Sequence, residues 1–212
     1  CLVYNNLTEF PKELCDLVNL QKLRFSDSKI NKLPEEIYKL KNLKEFDLSD
    51  NGLISLPEGI CDLENLEVLY MSNNGIKIFP KNMAKLKNLK ELNLWNNNLV
   101  ELPEELCNLV NIEKLVLSGN RINKLPESIS KLKKLKELDI RDNKLKSLPE
   151  GICDLENLEV LDIFSNEIKI FPKNMAKLKK LKEIDLSCKD LTEFPKELCN
   201  LTNLRKLNLS YN

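Results

Sequence analysis

The stretch Leu43–Leu66, LKEFDLSDNGLISLPEGICDLENL, decides how the chain is read. Apolar residues fall at Leu43, Phe46, Leu48, Leu53, Leu56, Ile60 and Leu63. Asn51 stands between two of them, Pro57 follows Leu56, and Leu66 restarts the pattern. Proline gives the period independently. Pro11, Pro34, Pro57, Pro80, Pro103, Pro126, Pro149, Pro172 and Pro195 are spaced by 23 residues without exception. No other proline occurs. A fixed period of this length marks a solenoid, in which each unit buries its apolar face only against its neighbours.

Each unit predicts a short strand around LxxLxL, within Leu20–Phe25, Leu43–Leu48, Leu66–Met71, Leu89–Leu94, Ile112–Leu117, Leu135–Ile140, Leu158–Ile163, Leu181–Leu186 and Leu204–Leu209. Every unit runs the same way, so the strands stack in parallel, and alternation points every second side chain away from the core. A turn follows, with asparagine at 5, 51, 74, 97, 120, 143, 166 and 212. An amide both donates and accepts, so a buried column of them can satisfy loop backbone in adjacent units. Ser28 keeps a shorter donor and acceptor there, whereas Lys189 cannot accept, which predicts an irregular turn at Cys188–Asp190. After each proline, apolar residues at three-residue spacing predict a helical or 3₁₀ turn on the outer side, with proline suited to its first position.

The template LxxLxLxxNxLxxLPxxIxxLxx resembles the leucine-rich repeat over the entire chain. Its 23-residue form is similar to the intracellular class, including the repeats of scribble, erbin and the plant intracellular Ras-group proteins. The resemblance implies an α/β solenoid with a curved parallel sheet on its concave face and short helical or 3₁₀ turns on its convex face. Residues 1–212 then form a single domain of about nine repeats, without recognisable caps. The similar families scaffold small-GTPase signalling and cell polarity, which implies a signalling protein as partner.

Composition excludes several function classes. The 33 Lys and Arg balance the 33 Asp and Glu, leaving no net field to attract nucleic acid or an anionic membrane. No apolar run approaches the roughly 20 residues of a membrane helix. With no histidine, Ser-His-Asp, Cys-His and His-metal arrangements are excluded. The five glycines are scattered, so no phosphate loop exists, and the cysteines lack CxxC spacing. Acid pairs such as Asp139 and Asp162 lie on an open face with nothing to exclude water or raise a pKa. No enzyme, metal or cofactor is expected. The chain starts in mid-repeat at Cys1 without Met, which reads as an excerpt; its open ends, at Leu2, Leu7, Leu207 and Leu209, are expected either to be covered by further chain or to make end-to-end contacts with a neighbour.

Cys15, Cys61, Cys107, Cys153 and Cys199 share one repeat position in alternate units. Stacked units lie about 4.8 Å apart on the strand side. Two units therefore separate these thiols by about 10 Å, against a disulfide limit of about 7 Å. Five unpaired, mostly buried thiols are expected, which places the chain in a reducing, cytoplasmic compartment. Outer charges alternate between units, as in Lys39, Asp62, Lys85 and in Lys41, Glu64, Lys87, a ladder that sets the order of repeats.

A third period points to a site. SLPEGICDLENLEVL occurs at Ser55–Leu69 and again at Ser147–Leu161, and IKIFPKNMAKLK at Ile76–Lys87 and Ile168–Lys179. Across these copies, outer and core residues match while inner strand positions do not. Tyr70 corresponds to Asp162, Ser72 to Phe164, Trp95 to Ser187 and Ser49 to Arg141, while Arg24, Val116 and Asn208 are equivalents. A position set by packing should repeat with the packing. The divergent positions share the concave face, where Tyr70, Trp95, Val116, Arg141 and Phe164 form a mixed patch. The acids Asp47, Asp50, Asp139, Asp142, Asp162 and Asp185 flank it, with Arg24 toward one end. Exposed aromatics and Arg dominate binding hot spots, so the expected function is protein binding on this face by a cytosolic adaptor or regulator. The alternative is an engineered or purely structural repeat scaffold with no dedicated ligand, suggested by the duplicated block.

Overall fold

The computed structural model describes residues 7–188 and 190–212. The expectations for Leu2, Asn5 and Lys189 lie outside these residues. Nine three-residue strands form one parallel sheet in sequence order. They are β1 Lys22–Arg24, β2 Glu45–Asp47, β3 Val68–Tyr70, β4 Glu91–Asn93, β5 Lys114–Val116, β6 Glu137–Asp139, β7 Val160–Asp162, β8 Glu183–Asp185 and β9 Lys206–Asn208. Each pairs with the next at a shift of 23 residues, so equivalent positions lie side by side.

The core is the stack of the periodic apolar positions. In the unit quoted above, Leu43, Phe46, Leu48, Leu53, Leu56, Ile60 and Leu63 are all buried. Each such side chain contributes roughly 1.5–3 kcal/mol of transfer free energy, and none can reach it without the units on either side. Among the described residues, the outer side carries eight 3₁₀ turns and one four-residue α-helix, α1 Glu104–Cys107. Proline sits one residue earlier than its expected first helical place. Seven prolines are N-caps with extended ψ between 111° and 155°. Their carbonyls close the turn, as where Ile60 N–H donates to Pro57 O at 3.2 Å, and this place too leaves the missing N–H without a cost. In the two Met-containing units the turn starts later, at Met83 and Met175, with Asn82 and Asn174 as N-caps.

Asparagine forms the expected ladder. Asn120 Nδ2 donates to Leu94 O at 2.9 Å in the preceding unit and to Leu117 O and Ser118 O in its own, while its Oδ1 accepts from Leu99 N–H at 3.0 Å. Asn51, Asn74, Asn97, Asn143, Asn166 and Asn212 repeat this set. Ser28 departs from its expected role: it is buried and its hydroxyl has no partner among the described residues, because the short side chain does not reach the carbonyls an amide spans. At the irregular turn, Cys188 and Asp190 both have positive φ, where other units have a single left-handed residue.

Two further ladders went unread in the sequence. Asn42, Asn65, Asn88, Asn111, Asn157 and Asn203 each donate an amide to a carbonyl 24 residues earlier, closing the turn into the strand. The signal was available, since asparagine recurs there at the same period. Glutamate after proline also reaches the next outer turn: Glu35 and Glu127 accept from Gly59 and Gly151 N–H, and Glu58 and Glu150 from Lys81 and Lys173 N–H. Gly59 and Gly151 are there because the units touch. A Cβ on either would lie 2.3 or 2.4 Å from the carbonyl oxygen of Glu35 or Glu127.

The outer charges pair in twos rather than as a continuous ladder. Lys39, Lys85 and Lys177 bind Asp16, Asp62 and Asp154 at 2.7–2.9 Å, but Lys39 does not close on Asp62. Lys41, Glu64 and Lys87 align without an ion pair among the described residues. Cys15, Cys61, Cys107 and Cys153 are buried free thiols, and burial pushes Cys61 and Cys153 up to about 12. Cys199 is a free but exposed thiol, correcting its expected burial, because no later outer turn lies over it.

Candidate functional site

Strand alternation places three rows of side chains on the concave face. The first runs Lys22, Glu45, Val68, Glu91, Lys114, Glu137, Val160, Glu183, Lys206 across β1 to β9. It is mostly self-neutralised by Lys22–Glu45 at 2.7 Å, Lys114–Glu137 at 3.1 Å and Lys206–Glu183 at 3.2 Å. Glu91 is left beside Tyr70, whose hydroxyl is pushed up by burial and then by Glu91 and Glu45.

The second row is Arg24, Asp47, Tyr70, Asn93, Val116, Asp139, Asp162, Asp185, Asn208. Six of its nine members are Asp or Asn, and all six serve the backbone. The side chains of Asp47, Asn93, Asp139, Asp162, Asp185 and Asn208 accept the N–H two residues on, at 2.8–3.2 Å. This corrects the expectation that inner positions are independent of the fold: the acids of this row close the strand end. Arg24, Tyr70 and Val116 are the departures. Arg24 spends its guanidinium on Glu45 at 3.1 Å.

The third row, two residues on, is serine in six units. The exceptions are Trp95, Arg141 and Phe164. Backbone bonds such as Asn96 N–H to Ser118 O and Gly119 N–H to Arg141 O keep this row in register. Beyond it lies a rim of left-handed residues, Asp27, Asp50, Asn73, Asn96, Gly119, Asp142, Ser165, Cys188 and Tyr211. Glycine in the rim has a second purpose at 119. A Cβ there would meet Trp95 Nε1 at 3.2 Å, so the indole lies across the next unit's turn. Trp95 is nevertheless 45 % exposed.

The nine expected site residues therefore divide. Tyr70, Trp95 and Val116 stand on three successive units, Trp95 exposed and Tyr70 half-buried, while Val116 is buried rather than projecting as expected. Arg141 is not free: it reaches Asp139 Oδ2 at 3.0 Å and Asp162 Oδ2 at 3.7 Å. Phe164 lies one unit further along, in a shallow concavity shared with Arg141, Asp162, Asp185, Asn208 and Tyr211. Arg24 is four strands from Val116 in register order and outside the group. The expectation that nothing on this face raises a pKa is corrected at Asp162, whose carboxyl is held above the usual range by burial, with Asp139 and Asp185 adding to it, against the Phe164 N–H and Arg141.

A larger depression than this concavity lies elsewhere, on the flank between the asparagine and proline turns, beside Ile78, Val100 and Ile170. Ile78 and Ile170 are 66 % and 67 % exposed, but they are equivalents in the repeated IKIFPKNMAKLK and so repeat with the packing. Among the described residues, no group of three or more His, Cys, Asp or Glu side chains is placed to hold a metal ion, and no helix is long and apolar enough to cross a membrane.

This geometry has relatives among solved structures. A leucine-rich-repeat protein of Leptospira interrogans superposes with a TM-score of 0.90 at 34 % identity, over 100 % of this chain and 60 % of that one. The plant peptide hormone receptor RGFR1, in complex with RGF2, gives 0.82 at 26 % identity, over 100 % and 35 %. The ectodomain of the Arabidopsis thaliana membrane receptor kinase GASSHO1/SCHENGEN3, in complex with CASPARIAN STRIP INTEGRITY FACTOR 2, gives 0.76 at 29 %, over 96 % and 26 %. The chain thus spans 60 % or less of the length of these proteins. No curated protein sequence matches it. The leucine-rich repeat region matches residues 8–116 and 100–212, and with nearly the whole chain so covered, the protein belongs to the leucine-rich-repeat family.

Proposed function

We propose that this chain is a single-domain protein-interaction module that binds a partner on its concave face, without chemistry of its own. The observation that carries the reading is the break in two otherwise regular rows. Where six units supply Asp or Asn to close the strand end, β3 and β5 supply Tyr70 and Val116. Where six units supply Ser, the neighbours supply Trp95, Arg141 and Phe164. Each exception gives up a backbone-satisfying or easily solvated residue for one suited to burial against another surface. The two plant receptors, a peptide hormone receptor in complex with RGF2 and a receptor kinase ectodomain in complex with CASPARIAN STRIP INTEGRITY FACTOR 2, support the same use of the scaffold.

We further read the module as a cytosolic adaptor or regulator of the 23-residue intracellular class. Its buried free thiols support a reducing compartment. Leu207 and Leu209 are each 39 % exposed where their equivalents Ile184 and Leu186 are buried, which supports end-to-end contact between copies. Light scattering tests that point: a mass that stays monomeric at high concentration refutes it. The binding reading is tested by a pull-down from cytosol with the parent chain and a Tyr70→Ala, Trp95→Ala, Phe164→Ala variant of equal thermal stability. A partner lost only by the variant is the expected result. A partner held equally by both places the site elsewhere, and no partner for either favours a structural scaffold without a ligand.

A further inference from the structure

Resting on the concave-face reading, we infer that the partner presents an extended cationic segment carrying one large apolar side chain, which anchors on Tyr70, Trp95 and Val116 while its lysines or arginines lie over the acids of β6 to β8.

Charge carries the first part of the argument. The three concave rows and the left-handed rim hold eleven carboxylates and five Lys or Arg, a net charge of −6. The whole chain is neutral, so the remaining surface carries the compensating positive charge. The neutral total that excludes a strong overall field thus hides a separation between faces. A face of one sign focuses oppositely charged partners and raises their association rate. It also repels nucleic acid and anionic lipid, which leaves a cationic polypeptide as the occupant.

The arrangement along the second row carries the rest. Tyr70 and Val116 are followed in register by Asp139, Asp162 and Asp185, one per unit. At about 4.8 Å per unit, Val116 is about 10 Å from Asp162 along this row. An extended chain advances about 3.3 Å per residue and shows alternate side chains to one surface. Anchor and cation therefore fall two to four residues apart. Arg141 already shows that this row accepts a guanidinium, since it bridges Asp139 and Asp162 from the adjacent row. The strands are only three residues long, so the face is a narrow strip that suits a linear segment.

A displayed library of random 12-residue peptides, selected on the intact chain at physiological salt, tests the inference. Pools are counter-selected on a Tyr70→Ser, Trp95→Ser, Val116→Ser variant matched in thermal stability. The expected result is peptides that bind only the parent, with a positive mean charge, an aromatic or aliphatic residue two to four places from Lys or Arg, and affinity at least tenfold weaker in high salt. Neutral or acidic peptides that bind the parent and not the variant overturn the cationic partner while leaving the concave site standing. Peptides retained by the variant overturn the concave site itself. A pool with no enrichment over naive peptides overturns the linear segment.

Discussion

The two copies of the 92-residue block diverge most on the concave side. In the outer segments after Pro57 and Pro149 they agree to the level of individual contacts, whereas the helix at Glu104 has a 3₁₀ turn at Lys196 as its copy. Glu58 accepts from Lys81 N–H and Asn82, and Glu150 accepts from Lys173 N–H and Asn174. Gly59 and Gly151 approach the preceding unit's carbonyl almost identically, and Cys61 and Cys153 are buried to the same pKa. On the concave side, Tyr70 stands where its copy has Asp162, and Trp95 where its copy has Ser187. The outer side is held by repeat-to-repeat contacts that any change would disturb twice. The inner side needs only a strand and one acceptor for an N–H, and where that acceptor is given up the side chain is released for other use.

The largest effects should come from the shared framework. Asn120→Ala removes three donated bonds and leaves Leu99 N–H buried without its acceptor. A loss of about 3 kcal/mol in urea unfolding is expected. Trp95→Ala, on the divergent face, should cost only about 1 kcal/mol, since the half-exposed indole packs across the Gly119 turn alone. Equal losses for the two would break the comparison, because the aromatic would then be part of the framework.

Gly59→Ala and Gly151→Ala come next. Each new Cβ is forced against a backbone carbonyl, Glu35 in one copy and Glu127 in the other, at a cost of about 1–3 kcal/mol. The copies should respond alike. A difference of more than about 0.5 kcal/mol between them, outside ordinary scatter between equivalent sites, would show that the outer sides are not energetically the same. Ser28→Asn should act in the opposite sense. It replaces an unpartnered hydroxyl with an amide placed to donate to Phe25 O and Ser26 O, as Asn51 does one unit later. A gain of about 1 kcal/mol is expected, read as a higher urea midpoint at constant slope. A loss would mean that the first turn has closed too far to admit the longer side chain.

Most of the fold was legible because period is a global signal. Nine prolines at one spacing set the units, and seven apolar positions set their buried sides. What escaped was local. The Glu58 and Glu150 contacts needed the distance between neighbouring units, which is fixed only once the stack is built; the Asn42 series shows in the period, but its carbonyl partners do not. The site was legible as a set of departures, but the reason that Asp47, Asp139 and Asp162 are acids was not. Read along one chain they look like a charged surface; read across the sheet they close strand ends. The pairing of Arg141 escaped in the same way, since both carboxylates it reaches lie in the adjacent row, Asp139 two residues before it and Asp162 on the next strand.

Asp162 offers the finest test, because it belongs to both categories at once. It accepts the Phe164 N–H, a framework contact, and it stands on the face that diverges from its copy. Burial raises its pKa above the usual carboxylate range, with Asp139 and Asp185 adding to the effect. A raised acid binds its proton more tightly when folded. Its contribution to stability is therefore greatest below the unfolded value of about 3.9, and is lost as pH rises through the folded value. At neutral pH the ionised form weakens the fold. Asp162→Asn should then stabilise by less than about 1 kcal/mol at pH 7, a rise in Tm below about 4 °C, with the gain shrinking toward pH 3.5. The amide can keep the Phe164 bond, as Asn93 and Asn208 keep the equivalent one. A net loss at pH 7 would mean that the Arg141 contact at 3.7 Å outweighs burial, and the row of acids would then be a stabilising feature of the sheet as well as a charged face.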